Sequence, residues 1–182
     1  MKALRQFLAL VTFAVAVVVV SPGSRASNRK STVLPRAATA ITTLAPATSD
    51  LERDLQRAHA ATAKYHSLTQ AVADGYIEDV YESGEGKHYF HPAYYDDGVF
   101  DIEHPEALLY VPDENGKLRL AGLEYLVPYD LNSPVPPAPD GFSGTDDVWR
   151  AGDEGFPEWA LNVWIWTYNP DGLFAKDNPL VP

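Results

Sequence analysis

The chain has 182 residues, of which 46% are hydrophobic and 12% aromatic, a composition that suits one packed domain and excludes a disordered chain. It has no cysteine, which excludes disulfides and thiolate metal ligands, and its net charge of −11 argues against a nucleic-acid partner. From Asp74 onward the chain has 22 acidic residues and only five basic ones, a balance compatible with cation binding and also with simple solubility outside the cell.

The first residues have the pattern of a secretory signal. A basic start at 1–5 precedes an apolar run at 7–20, and a Ser-Pro-Gly break is followed by the small residues Ser24 and Ala26. The apolar run is about 14 residues long, whereas roughly 20 are needed to span a bilayer. The pattern therefore predicts a cleaved signal peptide over residues 1–26, a secreted protein (extracellular or periplasmic), and no membrane attachment after cleavage.

Residues 27–47 are rich in Ala, Ser and Thr and show no period, which predicts a flexible leader before a single domain over residues 48–182. The domain opens with the signals of a helix: Ser49 and Glu52 form a capping box, and Gly75 is a natural terminator. Residues at spacings of three and four predict one continuous helix to about Asp74, with a stripe of Leu51, Leu55, Ala58, Thr62, Tyr65, Thr69 and Val72.

The remainder of the chain has the alternation and the turn residues of β-structure. Asn115-Gly116 is a strong hairpin signal, and an irregular connection from Pro128 to about Pro157 precedes a last strand whose aliphatic side should lie in the core. The predicted strands are Tyr76–Tyr81, Lys87–Phe90, Glu106–Val111, Leu118–Val127 and Glu158–Tyr168, and Tyr94–Asp101 is predicted to be a loop. The resulting fold class is α+β, with an N-terminal helix packed on a mostly antiparallel sheet in a single domain.

The hairpin contains two glutamates, and its register determines whether they lie opposite each other. With a two-residue Asn115-Gly116 loop, Glu106 lies opposite Tyr125, and Glu124 points to the other face of the sheet. With a three-residue loop in which Gly116 is left-handed, Glu106 lies directly opposite Glu124. Two carboxylates in that arrangement need a cation, a shared proton or a basic partner between them.

His88, on a neighbouring extended segment, can add an imidazole to Glu106 and Glu124, which makes a candidate site for a divalent ion such as Zn, Mn, Fe or Ca. The competing interpretation is that His88 is simply buried and hydrogen-bonded, and that the glutamates pair with basic residues, for which the sequence offers Lys87, Arg119 and Arg150. No GxSxG motif and no glycine-rich phosphate loop is present, so these two patterns indicate neither a serine hydrolase nor a nucleotide site.

Five segments together resemble an uncharacterised family of secreted bacterial proteins: HYF, DDGVFD, HPEALLY, GLEYLVP and VWIWTYNPDGLFAKDNP. The resemblance extends over roughly residues 61–179, and it implies no particular activity, because none is established for the family. It implies a metal site at His88, Glu106 and Glu124, with a histidine at the position where this chain has Asn162. Asn162 can ligate through its amide oxygen but more weakly than an imidazole, and the cysteines typical of the family are absent.

Three hypotheses about function follow. The first is a secreted protein that binds a divalent metal ion, or a small molecule, at a centre of His88, Glu106, Glu124 and Asn162. The second is a hydrolase or lyase in which the bound cation activates water. The third is a structural secreted module without a metal ion. None of the three involves nucleic acid or a membrane, and none predicts an oligomeric state.

Overall fold

The computed structural model describes residues 49–152 and 155–182. The predicted signal peptide (1–26) and leader (27–47) lie outside these residues. The described residues belong to one compact unit and form a single α+β domain, with short helices beside one antiparallel sheet, as predicted. Within them, no helix combines the length and the apolar character that are needed to cross a membrane.

The N-terminal helical region is divided into three pieces, so the prediction of one continuous helix is wrong. Helix α1 spans Asp50–Thr62, a 3₁₀ turn spans Ala63–His66, and helix α2 spans Leu68–Ala73. Ser67 interrupts the helix because its backbone is extended and its hydroxyl accepts the N–H of Gln70, which starts a new helix.

Both ends of this helical region lie where the sequence signals predict them. The hydroxyl of Ser49 accepts the N–H of Glu52 at 3.1 Å, and Gly75, with φ of +111°, follows the end of α2. The interruption rotates the last helix relative to the predicted stripe. Ala71 is therefore buried, and Val72, which the stripe placed in the core, is exposed.

Within the described ranges, six strands form one antiparallel sheet in the order β1-β2-β3-β4-β6-β5. They are β1 (Ile77–Glu82), β2 (Gly86–Phe90), β3 (Ala107–Pro112), β4 (Leu118–Pro128), β5 (Arg150–Ala151) and β6 (Glu158–Val163). The first four lie within about two residues of their predicted positions. The short strand β5 belongs to the segment predicted as an irregular connection, and it pairs with β6 at the edge of the sheet.

Helix α3 (Pro92–Asp97) occupies part of the segment predicted as a loop. Pro92 suits the first turn of a helix, because its fixed φ is helical and its missing N–H needs no partner there. Nδ1 of His91 accepts the N–H of Tyr94 at 3.3 Å, and Nε2 lies 3.0 Å from the carbonyl oxygen of Asp74. Both ring nitrogens of His91 are therefore used to hold local structure.

Strand β6 is shorter than predicted and ends at Val163 instead of Tyr168. Up to that point the aliphatic side chains behave as expected, since Leu161 and Val163 are fully buried in the main core. The N–H of Trp164 then bonds to the carbonyl oxygen of Leu173 at 2.9 Å, in the irregular segment that follows. The strand ends because its backbone partner is no longer another strand.

The sheet is covered on both faces. The main hydrophobic core lies between the sheet and the helices and includes Ala58, Tyr65, Leu108, Leu123 and Leu161. A smaller cluster on the opposite face contains Leu109, Ala121, Trp164 and Val181. Because Val181 belongs to the C-terminal segment, that segment shields part of the second face from water.

The hairpin between β3 and β4 combines the turn of one predicted alternative with the register of the other. Its loop is the three-residue form: the N–H of Asp113 bonds to the carbonyl of Lys117 at 2.8 Å, and Gly116 has φ of +78°. Ala121 then forms a bulge, because Tyr110 pairs with Leu120 whereas Leu109 pairs with Gly122. Beyond the bulge Ala107 pairs with Glu124, so Glu106 falls opposite Tyr125.

Candidate metal centre

Glu85, His88 and Glu124 form a buried group that could hold a metal ion. Each residue offers one ligand atom, and the three atoms all lie within 4.8 Å of one another. Their side chains are only 2%, 9% and 10% exposed, respectively. Of the residues predicted from the sequence, the structure thus brings His88 and Glu124 together, and it adds Glu85.

The register of the sheet places His88 and Glu124 on the same face. His88 of β2 pairs with Leu109 of β3, and Glu124 of β4 pairs with Ala107 of β3. Leu109 and Ala107 are two residues apart on one strand and therefore share a face, and each paired residue points the same way as its partner. This is the face opposite the helices, where Leu109 contributes to the smaller cluster.

Glu85 reaches the group because the turn between β1 and β2 is tight. The flanking residues Gly84 and Gly86 have φ of +87° and +91°, a backbone conformation that favours glycine. A Cβ on Gly86 would lie 2.5 Å from the carbonyl oxygen of Tyr110, which is closer than real Cβ contacts. The two glycines therefore allow the turn to fold against β3 and to bury the carboxylate of Glu85.

The spacing within the group is wider than direct hydrogen bonds require. Nε2 of His88 lies 3.5 Å from Oε2 of Glu124 and 3.8 Å from Oε2 of Glu85. A charge-assisted N–H···O bond is about 2.7–2.9 Å long. Ligand atoms around a tetrahedral ion held at about 2.0–2.1 Å are separated by roughly 3.3–3.4 Å. These two nitrogen–oxygen distances are therefore closer to the spacing of metal ligands than to the length of a direct hydrogen bond.

Asn162 lies beside the group, and its amide contacts the carboxylate of Glu85. It is fully buried on β6, paired with Glu124 of β4. Its Nδ2 donates to Oε2 of Glu85 at 2.7 Å, and its Oδ1 accepts from Nη2 of Arg150 at 2.6 Å. Both ends of the amide are thus engaged, and the role that this geometry gives Asn162 is to orient the Glu85 carboxylate.

The carboxylates set the protonation of the site. Burial alone would raise the pKa of Glu85, but the nearby imidazole of His88, the hydrogen bond from Asn162 and the charge of Lys176 outweigh it and hold the pKa below its ordinary value. Burial alone would lower the pKa of His88, but Glu85 and Glu124 outweigh it and raise that pKa to about 9. Without a metal ion, His88 is therefore positively charged at neutral pH.

Glu106 does not belong to this group. Lying opposite Tyr125, it points toward the helix-covered face, and its Oε2 accepts the N–H of Leu126 at 2.9 Å. This bond satisfies the N–H of Leu126 on β4, next to the end of β3, where the carbonyl of Pro105 accepts from the hydroxyl of Tyr76 at 2.8 Å. Oε1 is buried with no hydrogen-bond partner among the described residues, and burial raises the pKa of Glu106 to about 8.

The remaining histidines lie elsewhere. Nδ1 of His104 is 2.8 Å from a carboxylate oxygen of Asp101 on the surface. His59 stacks on Trp166 with ring centroids 3.8 Å apart, and His66 meets the same indole edge-on at 4.3 Å. His59, on α1, and His66, in the 3₁₀ turn, thus contact the same aromatic side chain.

The competing interpretation paired the predicted glutamates with basic residues. Two of those basic residues pair with other carboxylates instead. Nζ of Lys87 lies 2.9 Å from Glu78, and Nε of Arg119 lies 2.9 Å from Asp113. The third, Arg150, donates to the amide of Asn162. Arg119 is therefore engaged at the β3–β4 turn.

Glu85 is the residue that the sequence did not point to, because it lies between the predicted strands Tyr76–Tyr81 and Lys87–Phe90. Glycine on both sides and a histidine three residues later are the signals that could have found it. Such a pattern allows a carboxylate in a tight turn to fold back on the strand that follows. The local sequence alone does not reveal that Glu124, from 39 residues further along, completes the group.

Two shallow depressions of about 450 and 500 Å³ lie elsewhere on the surface, next to Leu51 and Leu55 of α1, and neither is lined by a residue of the candidate group. Comparisons with protein-family models, with curated proteins and with solved structures find no match for this chain. The geometry of Glu85, His88 and Glu124 is therefore the basis on which a function can be proposed.

Proposed function

We propose that this protein binds a divalent metal ion through Glu85, His88 and Glu124. The observation that carries the proposal is the spacing of the three ligand atoms, which lie within 4.8 Å of one another in a buried site yet too far apart for strong hydrogen bonds.

The ligand set defines the kind of ion. Two carboxylates and one imidazole suit zinc, manganese or iron, and calcium is disfavoured because it takes six to eight oxygen ligands. With His88 neutral, Glu85 and Glu124 together balance the charge of a divalent ion. Binding therefore releases the proton that His88 holds in the metal-free protein at neutral pH.

The position of the group supports binding more than catalysis. All three side chains are at most 10% exposed, and both described depressions lie elsewhere, whereas a catalytic ion needs an open position for substrate. An ion at this point would connect the β1–β2 turn, β2 and β4. Its expected effect is to stabilise the fold by linking segments that are distant in the sequence.

A metal-free ionic cluster is the second candidate. Lys176 lies 3.4 Å from Glu85, and a charged His88 lies between two carboxylates, so these charges offset one another without an ion. In that case His88 and Lys176 would neutralise the two carboxylates in place of the ion. The two candidates differ in metal content and in the response to chelators.

The test is elemental analysis of untagged protein purified without chelator, combined with thermal melts with and without EDTA. We expect near-stoichiometric metal and a lower Tm in EDTA, because removing the ion leaves two buried carboxylates less well neutralised. Glu124→Gln should abolish both effects, and Glu106→Gln is the matched control, since Glu106 is equally buried and outside the group. Protein that binds no added zinc or manganese and melts identically in EDTA would leave the ionic cluster as the function of these residues.

A further inference from the structure

We propose that Lys176 is an internal competitor of the metal ion, which neutralises Glu85 in the metal-free protein and has to withdraw when a divalent cation binds. The inference rests on the metal-binding function proposed above and concerns the regulation of the same site. It gives a role to the C-terminal segment, defined as Lys176–Pro182, that the three ligand residues by themselves do not explain.

The first step is the position of the ammonium group. Oε2 of Glu85 is held by Nδ2 of Asn162 at 2.7 Å, and Oε1 faces Nζ of Lys176 at 3.4 Å. A divalent ion on Glu85 would stand a few ångströms from this ammonium in a poorly solvated site, where repulsion between like charges is strong. Lys176 and the ion therefore compete for the same carboxylate.

The second step is that Lys176 is able to leave. Its side chain is 29% exposed, against 2%, 9% and 10% for Glu85, His88 and Glu124. A lysine carries its charge on a long flexible stem and can place it in water while the stem stays on the protein. Asn162 is fully buried and has no such route. Lys176 is thus the neighbour of Glu85 that can move aside.

The third step connects Lys176 to the turn that carries Glu85. The N–H of Asn178 donates to the carbonyl of Gly84 at 2.8 Å, and the N–H of Gly84 donates to the carbonyl of Pro182 at 3.3 Å. The hydroxyl of Tyr81 also donates to Pro182, at 2.8 Å. The C-terminal segment therefore holds both the ammonium group and the backbone next to its carboxylate partner, and it controls how firmly Lys176 is presented to Glu85.

The experiment is a zinc titration of the full chain in competition with a chelator, for wild type and for Lys176→Met. We expect Lys176→Met to bind zinc at least about tenfold more tightly, because a nearby positive charge is gone. Lys117→Met is the matched control: Lys117 is exposed in the β3–β4 turn, and its loss should change the affinity by less than about twofold. Lys176→Arg keeps the charge and should bind zinc more weakly than Lys176→Met, close to wild type.

A second measurement follows Lys176 itself. Mass spectrometry after brief acetylation should show that added zinc increases the labelling of Lys176 in wild type and leaves that of Lys117 unchanged. If wild type binds zinc and Lys176→Met binds it equally or more weakly, the inference is wrong and the metal site stands. If no variant binds zinc or, in the same titration, manganese, the proposed function fails and the inference fails with it.

Discussion

Two buried glutamates show how neighbouring groups decide the protonation state of a carboxyl group. Glu85 faces Lys176, Asn162 and His88, which together hold its pKa below the ordinary value despite burial. Glu106 is just as buried, but its Oε1 has no hydrogen-bond partner among the described residues, and burial raises its pKa to about 8. Glu85 is therefore suited to bind a cation at neutral pH, whereas Glu106 is suited to remain protonated.

The raised pKa of Glu106 predicts that this residue destabilises the fold as pH rises and that a glutamine at this position does not. The unfolded carboxyl loses its proton near pH 4.5, and the folded one near pH 8, so this residue makes the free energy of unfolding fall as pH rises between these values. Glu106→Gln should therefore become progressively more stable relative to wild type, by on the order of 1 kcal/mol per pH unit. Urea unfolding in EDTA at pH 5, 6, 7 and 8 measures the difference. A constant difference across this range would contradict a protonated Glu106.

At the scale of elements, two departures from regular strands decide which side chains meet. The bulge at Ala121 shifts the β3–β4 register by one residue, which separates Glu106 from Glu124. The turn at Gly84 and Gly86 brings Glu85 onto the face that Glu124 occupies. Each departure depends on contacts outside its own segment, since Ala121 packs with Trp164 and Val181.

Gly86 in the β1–β2 turn and Gly98 after α3 should differ in how much an alanine at each position destabilises the fold. Gly98 ends α3 with φ of +66° and open space around a Cβ, so Gly98→Ala should cost only the left-handed backbone term, about 1 kcal/mol. Gly86→Ala adds a clash with the carbonyl of Tyr110 to a similar backbone term and should cost about 3 kcal/mol or more. Denaturant unfolding of the two variants makes the comparison. Equal losses would show that the turn can relax away from β3.

At the scale of the whole molecule, the acidic chain buries apolar side chains on both faces of one sheet. The helices cover the main core, and the C-terminal segment contributes Val181 to the smaller cluster on the other face. The candidate metal centre lies on this second face, where Lys176 of the C-terminal segment is 3.4 Å from Glu85. The C-terminal segment is therefore part of the structure that shields the site.

This arrangement predicts that two neighbouring residues near the end of the chain contribute differently to the free energy of unfolding. Val181→Ala removes methyl groups that pack on Leu109 and Trp164 and should lower the free energy of unfolding by about 1–2 kcal/mol. Leu180→Ala is the control, because Leu180 is 61% exposed and its truncation should change stability by less than about 0.5 kcal/mol. Thermal or urea unfolding distinguishes them. Similar losses at both positions would contradict the covered second face.

The sequence by itself determined the α+β class and the positions of β1 to β4 and of the hairpin turn. These features depend on signals within a few residues: alternation along a strand, a capping serine, and glycine where φ is positive. The same local signals failed at Ser67, where a side chain starts a second helix, and at Trp164, whose backbone partner is Leu173. The signal peptide and the family resemblance stay predictions.

Only the tertiary structure decided which carboxylates share a site. Sequence placed His88 with Glu106 and Glu124, but one bulge residue, Ala121, turned Glu106 to the other face, and a turn between two glycines supplied Glu85 instead. A shift of one residue reverses the face of every later side chain, and the packing of distant segments selects that register. Residue types therefore indicated the chemistry of the site, and long-range packing determined its members.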